Sequence, residues 1–338
     1  MLNKKIAEKL IIDQALLYPP FPKKNLLIEV TNACNNKCIF CANRIMTRKL
    51  GMIDSKLVYK VLQEAFELGT LEVGFYATGE PLLNKKIYDY IKKAKEIGYE
   101  YIYITTNGIL ANLDNVKKLY NNGLDSIKFS INGIDEKGYE FACGSNNFTK
   151  VFNNLKNVYE WKKECNAKLN VFVSCIITKY INHSKEEISR FFENYCDDSS
   201  IQEVKNQGGM ILEIDRELLC NDSDSVYKVK LPCNYPFNSL IVSYEGYLTS
   251  CCMDFQNYLA YANLNKITLK EAWHNDCIVK LREKHISCDV SLTLCEGCVN
   301  NKLKDIKPLN EKLYSPMDMN SINNDDYISQ KIKKYYRR

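Results

Sequence analysis

The amino-acid sequence predicts an α/β fold made of repeated strand–helix units. Between residues 25 and 215, short apolar segments typical of buried strands alternate with longer segments whose apolar residues recur at helical spacing. This alternation favours a parallel sheet with helical crossovers. About six such units fit the stretch, which is too few for a complete eight-stranded barrel. After residue 220 the alternation stops, which predicts a second and smaller α+β domain.

The expected elements can be placed in chain order. A short amphipathic helix is expected at 2–17, ended by the proline-rich run 19–22. Strands are expected at 26–30, 71–77, 101–106, 126–131 and 169–177, with a weaker one at 201–206. The helices between them are expected at 54–68, 85–97, 113–121, 148–165 and 185–195. Asp54 is a candidate N-cap of the first of these helices, and Gly98 is placed to end the second. In the smaller domain, 240–251 predicts a β-hairpin, and 269–282 predicts a single amphipathic helix.

The composition is ordinary for a globular protein: of 338 residues, 46% are hydrophobic and 26% are charged. No apolar run approaches the roughly 20 residues of a membrane span, and no secretory signal is visible, so we expect a cytoplasmic protein. The basic end, 331–338, has no second basic stretch with aromatics to support it. We therefore expect a solvated tail there and no nucleic-acid binding.

These observations divide the chain into four parts. We expect an N-terminal helix and linker at 1–24, a strand–helix domain at 25–220, the smaller domain at 221–305 and a basic C-terminal tail at 306–338.

Three cysteines, Cys34, Cys38 and Cys41, follow the first predicted strand with C-x3-C-x2-C spacing. Fifteen cysteines are many for a cytoplasmic chain, where patterned cysteines favour metal binding over disulfides. Three thiolates on one tight loop can hold three irons of a [4Fe–4S] cube and leave the fourth iron without a protein ligand. A zinc site is the alternative, but zinc prefers four Cys or His ligands and no fourth one lies nearby in the sequence.

This spacing, with Phe40 directly before the last cysteine, resembles the signature of the radical S-adenosylmethionine (SAM) superfamily. The resemblance implies a partial (β/α)6 barrel of TIM type, which agrees with the count of units. It also implies that the SAM amino and carboxylate groups bind the open iron. An electron from the cluster then cleaves the sulfonium, and a 5′-deoxyadenosyl radical removes a hydrogen atom from the substrate. Phe40 matches the aromatic position that packs near the adenine.

A second motif lies at the end of the second predicted strand. Thr78-Gly79-Glu80-Pro81 resembles the G-G-E motif of the family, with Thr78 in place of the first glycine. In the family, the backbone and the acidic residue of this motif hold the SAM amino group. The resemblance therefore implies that Thr78, Gly79 and Glu80 bind the cofactor.

Later strand ends carry further candidates, as expected if active residues cluster at the C-terminal ends of barrel strands. Asn107 ends the third strand and is placed to hydrogen-bond the cofactor or the substrate. Ser130 begins a segment, 130–133, that resembles the family's S-I-D-G pattern; it would meet the ribose or carboxylate of SAM, while Asn132 departs from the usual Asp. On the fifth strand, Ser174 or Cys175 faces the cavity, because strand residues alternate sides; a core role is favoured for Cys175.

A second cysteine set lies beyond residue 220. Cys233 is followed by Gly246, by Cys251 and then by Cys295 and Cys298 as C-x2-C. The spacing resembles the SPASM extension in its shortened "twitch" form, a group that includes aminocyclitol dehydrogenases, because no cysteine follows to complete the full motif. The resemblance implies that these four cysteines hold an auxiliary [4Fe–4S] cluster. A four-cysteine zinc ribbon is the alternative, and Cys252 and Cys288 remain alternative ligands.

The two resemblances imply an enzyme with SAM and two [4Fe–4S] clusters as cofactors. The first hypothesis is the oxidation or epimerisation of a small hydroxylated substrate, such as a sugar or an aminocyclitol, with help from the auxiliary cluster. Three uses of that cluster are open: it takes up an electron from the substrate radical, it feeds an electron in, or it binds the substrate at an open ligand position. The second is a SPASM-type peptide-modifying maturase, and the third is a non-catalytic metal-binding protein. Reduction needs an outside electron, so we expect flavodoxin or ferredoxin as a partner.

The catalytic acid or base is open. His183 follows the fifth strand and is placed to reach the cavity, whereas His274 and His285 are expected on the surface of the smaller domain. Lys205, Glu213 and Arg216 lie near the end of the barrel and are further candidates.

Overall fold

The structure is a computed structural model that describes residues 14–211, 213–218, 230–300, 305–318, 320 and 326–336. At its centre is a nine-stranded sheet with the order β6-β5-β4-β3-β2-β1-β7-β8-β9. The strands are β1 (Leu26–Ile28), β2 (Glu72–Gly74), β3 (Tyr101–Thr106), β4 (Ser126–Ser130), β5 (Asn170–Ile177), β6 (Asp198–Glu203), β7 (Leu240–Val242), β8 (Tyr247–Thr249) and β9 (Ala260–Asn263). Strands β1 to β6 all pair in parallel. The predicted six-unit parallel sheet and unclosed barrel are therefore confirmed.

Helices connect the strands and cover one face of the sheet. They are α1 (Ser55–Glu67), α2 (Ile87–Ile97), α3 (Leu113–Asn121), α4 (Glu136–Cys143), α5 (Phe148–Glu164), α6 (Lys185–Phe192), α7 (Glu213–Glu217), α8 (Tyr235–Asn238), α9 (Leu269–Trp273), α10 (Asp276–Ile286), α11 (Cys295–Asn300) and α12 (Tyr327–Tyr335). Short 3-10 turns lie at Ala42–Ile45, Pro81–Leu83 and Gln207–Gly209. No helix in the described part of the chain is long and apolar enough to cross a bilayer.

Local sequence signals explain several helix ends. The Asp54 carboxylate accepts hydrogen bonds from the backbone N–H groups of Lys56 and Leu57, which makes it the N-cap of α1. Gly98 ends α2 with a φ of 115°, a left-handed conformation that favours glycine. Both caps were predicted and are confirmed.

Successive side chains along a strand point to opposite faces of the sheet, and their burial differs between the two faces. On β3, Ile102 and Ile104 are fully buried in the core, whereas Tyr101 and Tyr103 on the opposite face are partly buried. The second face is the concave interior of the barrel. The polar and aromatic side chains of this face are therefore available to a ligand.

The C-terminal region continues the barrel sheet. Strand β7 pairs in parallel with β1, and β8 and β9 extend the sheet in antiparallel fashion. The predicted hairpin is present as β7 and β8, while β9 was not predicted. A buried ion-pair network fixes this junction: Arg48 contacts Glu29 at 2.5 Å and Glu245 at 2.9 Å, and only 1% of the Arg48 side chain is exposed.

One helix prediction was wrong, and one helix of the strand–helix domain was not predicted. The segment at 269–282 is not one helix, because the Asn275 side chain accepts hydrogen bonds from the N–H groups of Cys277 and Ile278 and starts α10 anew. Helix α4 was missed altogether; Asp135 caps it, accepting from the N–H of Gly138. Both differences arise from local side-chain caps in regions with weak apolar periodicity.

The end of the chain is not a solvated tail as far as residue 336. Ile328 and Ile332 of α12 are fully buried. Tyr336 lies edge-on to Phe141 of α4, with ring centroids 5.1 Å apart. Packing of these apolar residues outweighs the basic charge that suggested exposure. Most of the helix predicted at 2–17 lies outside the described residues.

Candidate functional site

The three cysteines of the first motif lie on the loop that follows β1, and each is partly buried. The C-terminal end of α4 supports this loop. The backbone N–H groups of Lys37 and Ile39 donate to the carbonyl oxygens of Cys143 and Ala142, at 3.1 and 3.0 Å. These bonds hold the loop in place without using any cysteine side chain.

The sulfurs of this loop are close enough to influence one another. Burial, with a smaller contribution from the neighbouring Cys34, raises the pKa of Cys41 to about 11. Contact with the buried thiol of Cys143 raises the pKa of Cys38, and burial adds to the effect. Cys143 thus lies beside the motif. A bound metal reverses such shifts, because its charge favours the thiolate.

Gly79 brings the second motif against the cysteine loop. A Cβ at this position would lie 2.4 Å from the carbonyl oxygen of Thr31 and 2.5 Å from that of Ala33. The N–H of Glu80 donates to the Ala33 carbonyl at 2.8 Å. The Asn43 amide donates to the carbonyl oxygen of Asn32 at 2.8 Å and to that of Thr78 at 3.2 Å, so it joins the two segments. Only glycine permits this close approach.

The Glu80 carboxylate links the segment after β2 to the end of β3. It is 2% exposed and accepts hydrogen bonds from the Thr106 hydroxyl and the Asn107 N–H at 2.7 Å, and from the Leu82 N–H at 3.1 Å. Burial raises its pKa to about 7, against the opposite effect of these donors. The side chain therefore braces the segment that carries Asn107.

Asn107 and Ser130 lie at neighbouring strand ends. The Asn107 amide donates to Oδ1 of Asn35 at 2.6 Å and lies 3.9 Å from Sγ of Cys34. The Ser130 and Ser174 hydroxyls are 3.3 Å apart across the β4–β5 pair. Ser174 is thus the β5 residue on the same side as Ser130.

Other candidates of this region are buried. Phe40 is 5% exposed and packs in the core beside the cysteine loop. Cys175 is fully buried, as expected. Asn132 accepts from the Ile176 N–H at 2.8 Å and donates to Sγ of Cys143 at 3.6 Å, so it braces the loop after β4.

The second cysteine set lines a cavity of about 140 Å³. Cys233 precedes α8, Cys251 follows β8, and Cys295 and Cys298 lie one turn apart on α11. Burial raises the pKa of Cys295 to about 12 and that of Cys298 to about 11. Three segments that are distant in sequence thus place four thiols around one space.

His285 also lines this cavity, which corrects its expected place on the surface. It is 1% exposed, and burial lowers its pKa to about 4. Its ring contacts the backbone N of Cys233 and Sγ of Cys295. The sequence offered one signal, a histidine within ten residues of Cys295 on an otherwise amphipathic helix. His274, by contrast, is exposed as expected.

The alternative ligands Cys252 and Cys288 are placed differently. The Cys252 thiol donates to the Tyr235 hydroxyl at 3.6 Å and lies outside the lining of the four-cysteine cavity, within the described residues. Cys288 is exposed. The geometry therefore favours the original four cysteines as one set.

A small void of about 10 Å³ lies between the second motif and the second cysteine set. Thr78 of the second motif lines it together with Cys251 and Cys252. Tyr76, two residues before Thr78, lies close enough for Cys252 to raise its pKa, although burial is the larger cause. The second motif, at 78–81, and the second cysteine set are thus neighbours in space.

The concave face carries residues that the sequence analysis missed. The Lys128 amine lies 5.9 Å from the centroid of the Tyr76 ring. The ring centroids of Tyr76 and Tyr103 are also 5.9 Å apart. Burial lowers the pKa of Lys128. Lys128 precedes Ser130 by two residues on β4, so both share a face. Strand alternation alone was the available signal.

The remaining acid–base candidates are dispersed. The His183 ring pairs with Asp135 at 3.0 Å near α4. Glu213 accepts a hydrogen bond from a serine of α12 at 3.1 Å. Lys205 lines the four-cysteine cavity, and the side chain of Arg216 lies outside the described residues.

The donor sets suit iron–sulfur clusters. Among the described residues, no three His, Cys, Asp or Glu side chains converge closely enough to bind a single metal ion. A cube is held by thiolates at its separate corners, and these are further apart than the ligands of one ion. Three thiols on one loop and four around one cavity therefore fit an open and a fully ligated cube.

Comparisons with known proteins agree with this geometry. The family model described as the radical SAM superfamily matches residues 28–193, and the SPASM model, described as an iron–sulfur cluster-binding domain, matches residues 233–299.

The PqqA peptide cyclase of Gluconobacter oxydans is 32% identical over 126 residues, which are 37% of this chain and 35% of that protein. Alignments with the curated relatives cover only 27% to 58% of those proteins' own lengths.

Solved structures show the same fold. BtrN in complex with AdoMet and 2-DOIA has a TM-score of 0.52 at 17% identity, covering 79% of this chain and 88% of that one. Streptococcus suis SuiB bound to the precursor peptide SuiA has a TM-score of 0.61 at 18% identity, covering 82% and 70%. The chain therefore belongs to the radical SAM superfamily and carries a SPASM iron–sulfur domain, with SAM and two clusters as its cofactors.

Proposed function

We propose that this enzyme removes a hydrogen atom from a small hydroxylated molecule, such as a sugar or an aminocyclitol, and oxidises or epimerises it. In this proposal Cys34, Cys38 and Cys41 hold the SAM-binding cluster. The auxiliary cluster is bound by the four cysteines of the second set, Cys233, Cys251, Cys295 and Cys298. Flavodoxin or ferredoxin supplies the electron.

The observation that carries the proposal is the proximity of the two regions, because Thr78 and Cys251 line one small void of about 10 Å³. With SAM and the auxiliary cluster bound as proposed, a substrate radical formed next to SAM would lie close to that cluster. A hydroxylated carbon that has lost its hydrogen atom becomes a ketone when it releases one proton and one electron. A nearby acceptor for that electron favours the oxidised product.

When bound, the first cluster and SAM supply the radical that takes the hydrogen atom, and the auxiliary cluster supplies an electron acceptor. The chain's own residues position these groups. Gly79 allows the SAM motif to lie against the cysteine loop. Glu80 fixes Asn107 beside Cys34, so that its amide is directed at the cofactor. Ser130 and Phe40 complete the proposed SAM contacts.

The concave face supplies the proposed substrate surface. Tyr76, Tyr103 and Lys128 lie there, next to the strand ends that carry Asn107 and Ser130. Aromatic rings exclude water from the reacting carbon, and the amine and hydroxyl groups offer hydrogen bonds to substrate oxygens.

Peptide modification is the second candidate. The similarity to the PqqA peptide cyclase and to SuiB favours it. A maturase that oxidises or crosslinks a side chain would use the same electron acceptor. The two candidate functions therefore differ in the substrate from which hydrogen is removed.

Deuterium transfer separates the candidates. Reduced, anaerobically reconstituted enzyme is incubated with SAM and with myo-inositol or glucosamine deuterated at the hydroxyl-bearing carbons, or with peptides deuterated at α and β carbons. Deuterium in 5′-deoxyadenosine from a cyclitol or sugar supports the first candidate. Transfer from a peptide alone supports the second and rules out the first.

A matched pair of cysteine variants tests the electron acceptor. Cys251→Ala should keep SAM cleavage and deuterium transfer but lose the oxidised product. Cys288→Ala, at an exposed position, is the control and should keep both. Full product formation in Cys251→Ala contradicts an oxidising role for the auxiliary cluster.

A further inference from the structure

His285 contacts two of the three segments that carry the four cysteines, from inside their cavity. It lies on α10 with its ring buried. Its Nδ1 is 3.2 Å from the backbone N of Cys233, and its Nε2 is 3.4 Å from Sγ of Cys295. One ring thus bridges segments separated by about sixty residues of sequence.

The backbone contact determines which ring nitrogen carries the proton. The Cys233 N–H is a donor, so Nδ1 accepts through its lone pair and carries no hydrogen. The proton of the ring is therefore on Nε2. That N–H faces Sγ of Cys295, so His285 donates an N–H···S hydrogen bond to a proposed cluster ligand.

A donor on a ligand sulfur favours the reduced cluster. Reduction adds negative charge that the cluster shares with its thiolates, and a hydrogen bond to a more negative acceptor is stronger. Hydrogen bonds to the sulfurs are among the factors that set the potentials of iron–sulfur clusters. The rest of the cavity surface is mainly apolar, although Lys205 also lines it and its charge acts in the same direction.

We propose that His285 is a positioning residue of the auxiliary cluster that raises its reduction potential and prepares it to accept an electron. The inference rests on the proposed function for the presence of the cluster. What it predicts is the reduction potential of that cluster, which can be measured without enzymatic turnover.

The test uses the full chain with Cys34, Cys38 and Cys41 replaced by alanine, so that only the auxiliary cluster contributes. EPR-monitored redox titrations compare this parent with its His285→Leu and His285→Gln derivatives. Leucine removes the donor, whereas the glutamine amide can present an N–H to the sulfur. His274→Leu is the control at an exposed histidine.

We expect His285→Leu to lower the reduced-to-oxidised ratio at a fixed potential about tenfold, as for a lost hydrogen bond to a charged group. This corresponds to about 59 mV for one electron. His285→Gln should recover most of the shift, and His274→Leu should match the parent. An unchanged midpoint in His285→Leu, or equal shifts in the leucine and glutamine variants, overturns the proposal.

If the His285→Leu variant loses its iron, the hydrogen bond is tested directly in the parent variant. With isotopically labelled histidine and exchange into deuterium oxide, pulsed EPR of the reduced cluster should show coupling to a histidine nitrogen and to an exchangeable proton. Absence of both couplings overturns the inference. If the parent variant binds no auxiliary cluster, the proposed function is overturned instead. The two failures are therefore distinguishable.

Discussion

Gly79→Ala is the substitution with the best-defined consequence at the SAM site. The new Cβ would lie 2.4 Å from the Thr31 carbonyl oxygen, whereas Cβ contacts below 3.0 Å essentially never occur. The cysteine loop and the SAM motif must therefore separate by at least 0.6 Å. Both neighbours are backbone carbonyls, so no side-chain rotation relieves the contact.

A misplacement of about 1 Å can cost about a hundredfold in rate, and the smaller separation required here should cost about tenfold. We expect Gly79→Ala to reduce 5′-deoxyadenosine formation by about that smaller factor, and to destabilise the fold by about 1–3 kcal/mol through overpacking. The assay is the initial rate of SAM cleavage under dithionite, with iron content measured in parallel.

Gly138→Ala is the matched control. Its Cβ would meet only a carboxylate oxygen of Asp135 at 3.4 Å, and the position is helical. Alanine there should leave the cleavage rate unchanged and stabilise α4 by about 0.5–1 kcal/mol. Cleavage by Gly79→Ala at the rate of Gly138→Ala would refute the close-contact argument.

Two further substitutions test the supports of the site. Arg48→Met leaves the buried Glu29 carboxylate without its partner, so the free energy of unfolding in urea should fall by about 3–5 kcal/mol; a loss no larger than that of exposed Arg190→Met contradicts this. Cys38→Ala should abolish SAM cleavage, whereas Cys143→Ala, which removes the adjacent buried thiol, should keep cleavage and iron content. Loss of iron in both would show that Cys143 is a fourth ligand and that no iron is open.

Much of the fold was predictable because its signals are local. Asp54 and Gly98 mark helix ends through their own side chain and backbone conformation, and alternation marks the strands. The break at Asn275 and helix α4 were missed because a cap outweighed a weak periodicity. The α12 helix was missed because its buried faces depend on contacts with α4, which no local pattern encodes.

The parts of the site that could be predicted are those in which the spacing of cysteines along the sequence indicates a metal-binding set. The C-x3-C-x2-C loop and the second cysteine set predicted which thiols the structure brings together. Sequence could not place Cys143 beside Cys38, or His285 beside Cys295, because both contacts join separate elements. It also could not show that the Glu80 carboxylate is engaged by Thr106 and Asn107.

The central claim is that the loop of three cysteines leaves one iron open for SAM. The most direct measurement is pulsed electron–nuclear double resonance on the reduced full chain, mixed with SAM labelled at its amino nitrogen and carboxylate oxygen. We predict hyperfine coupling to both labels, and its loss in Cys34→Ala while the auxiliary signal remains. Two intact cluster signals without coupling to either label, or a protein that binds only zinc, would contradict the account.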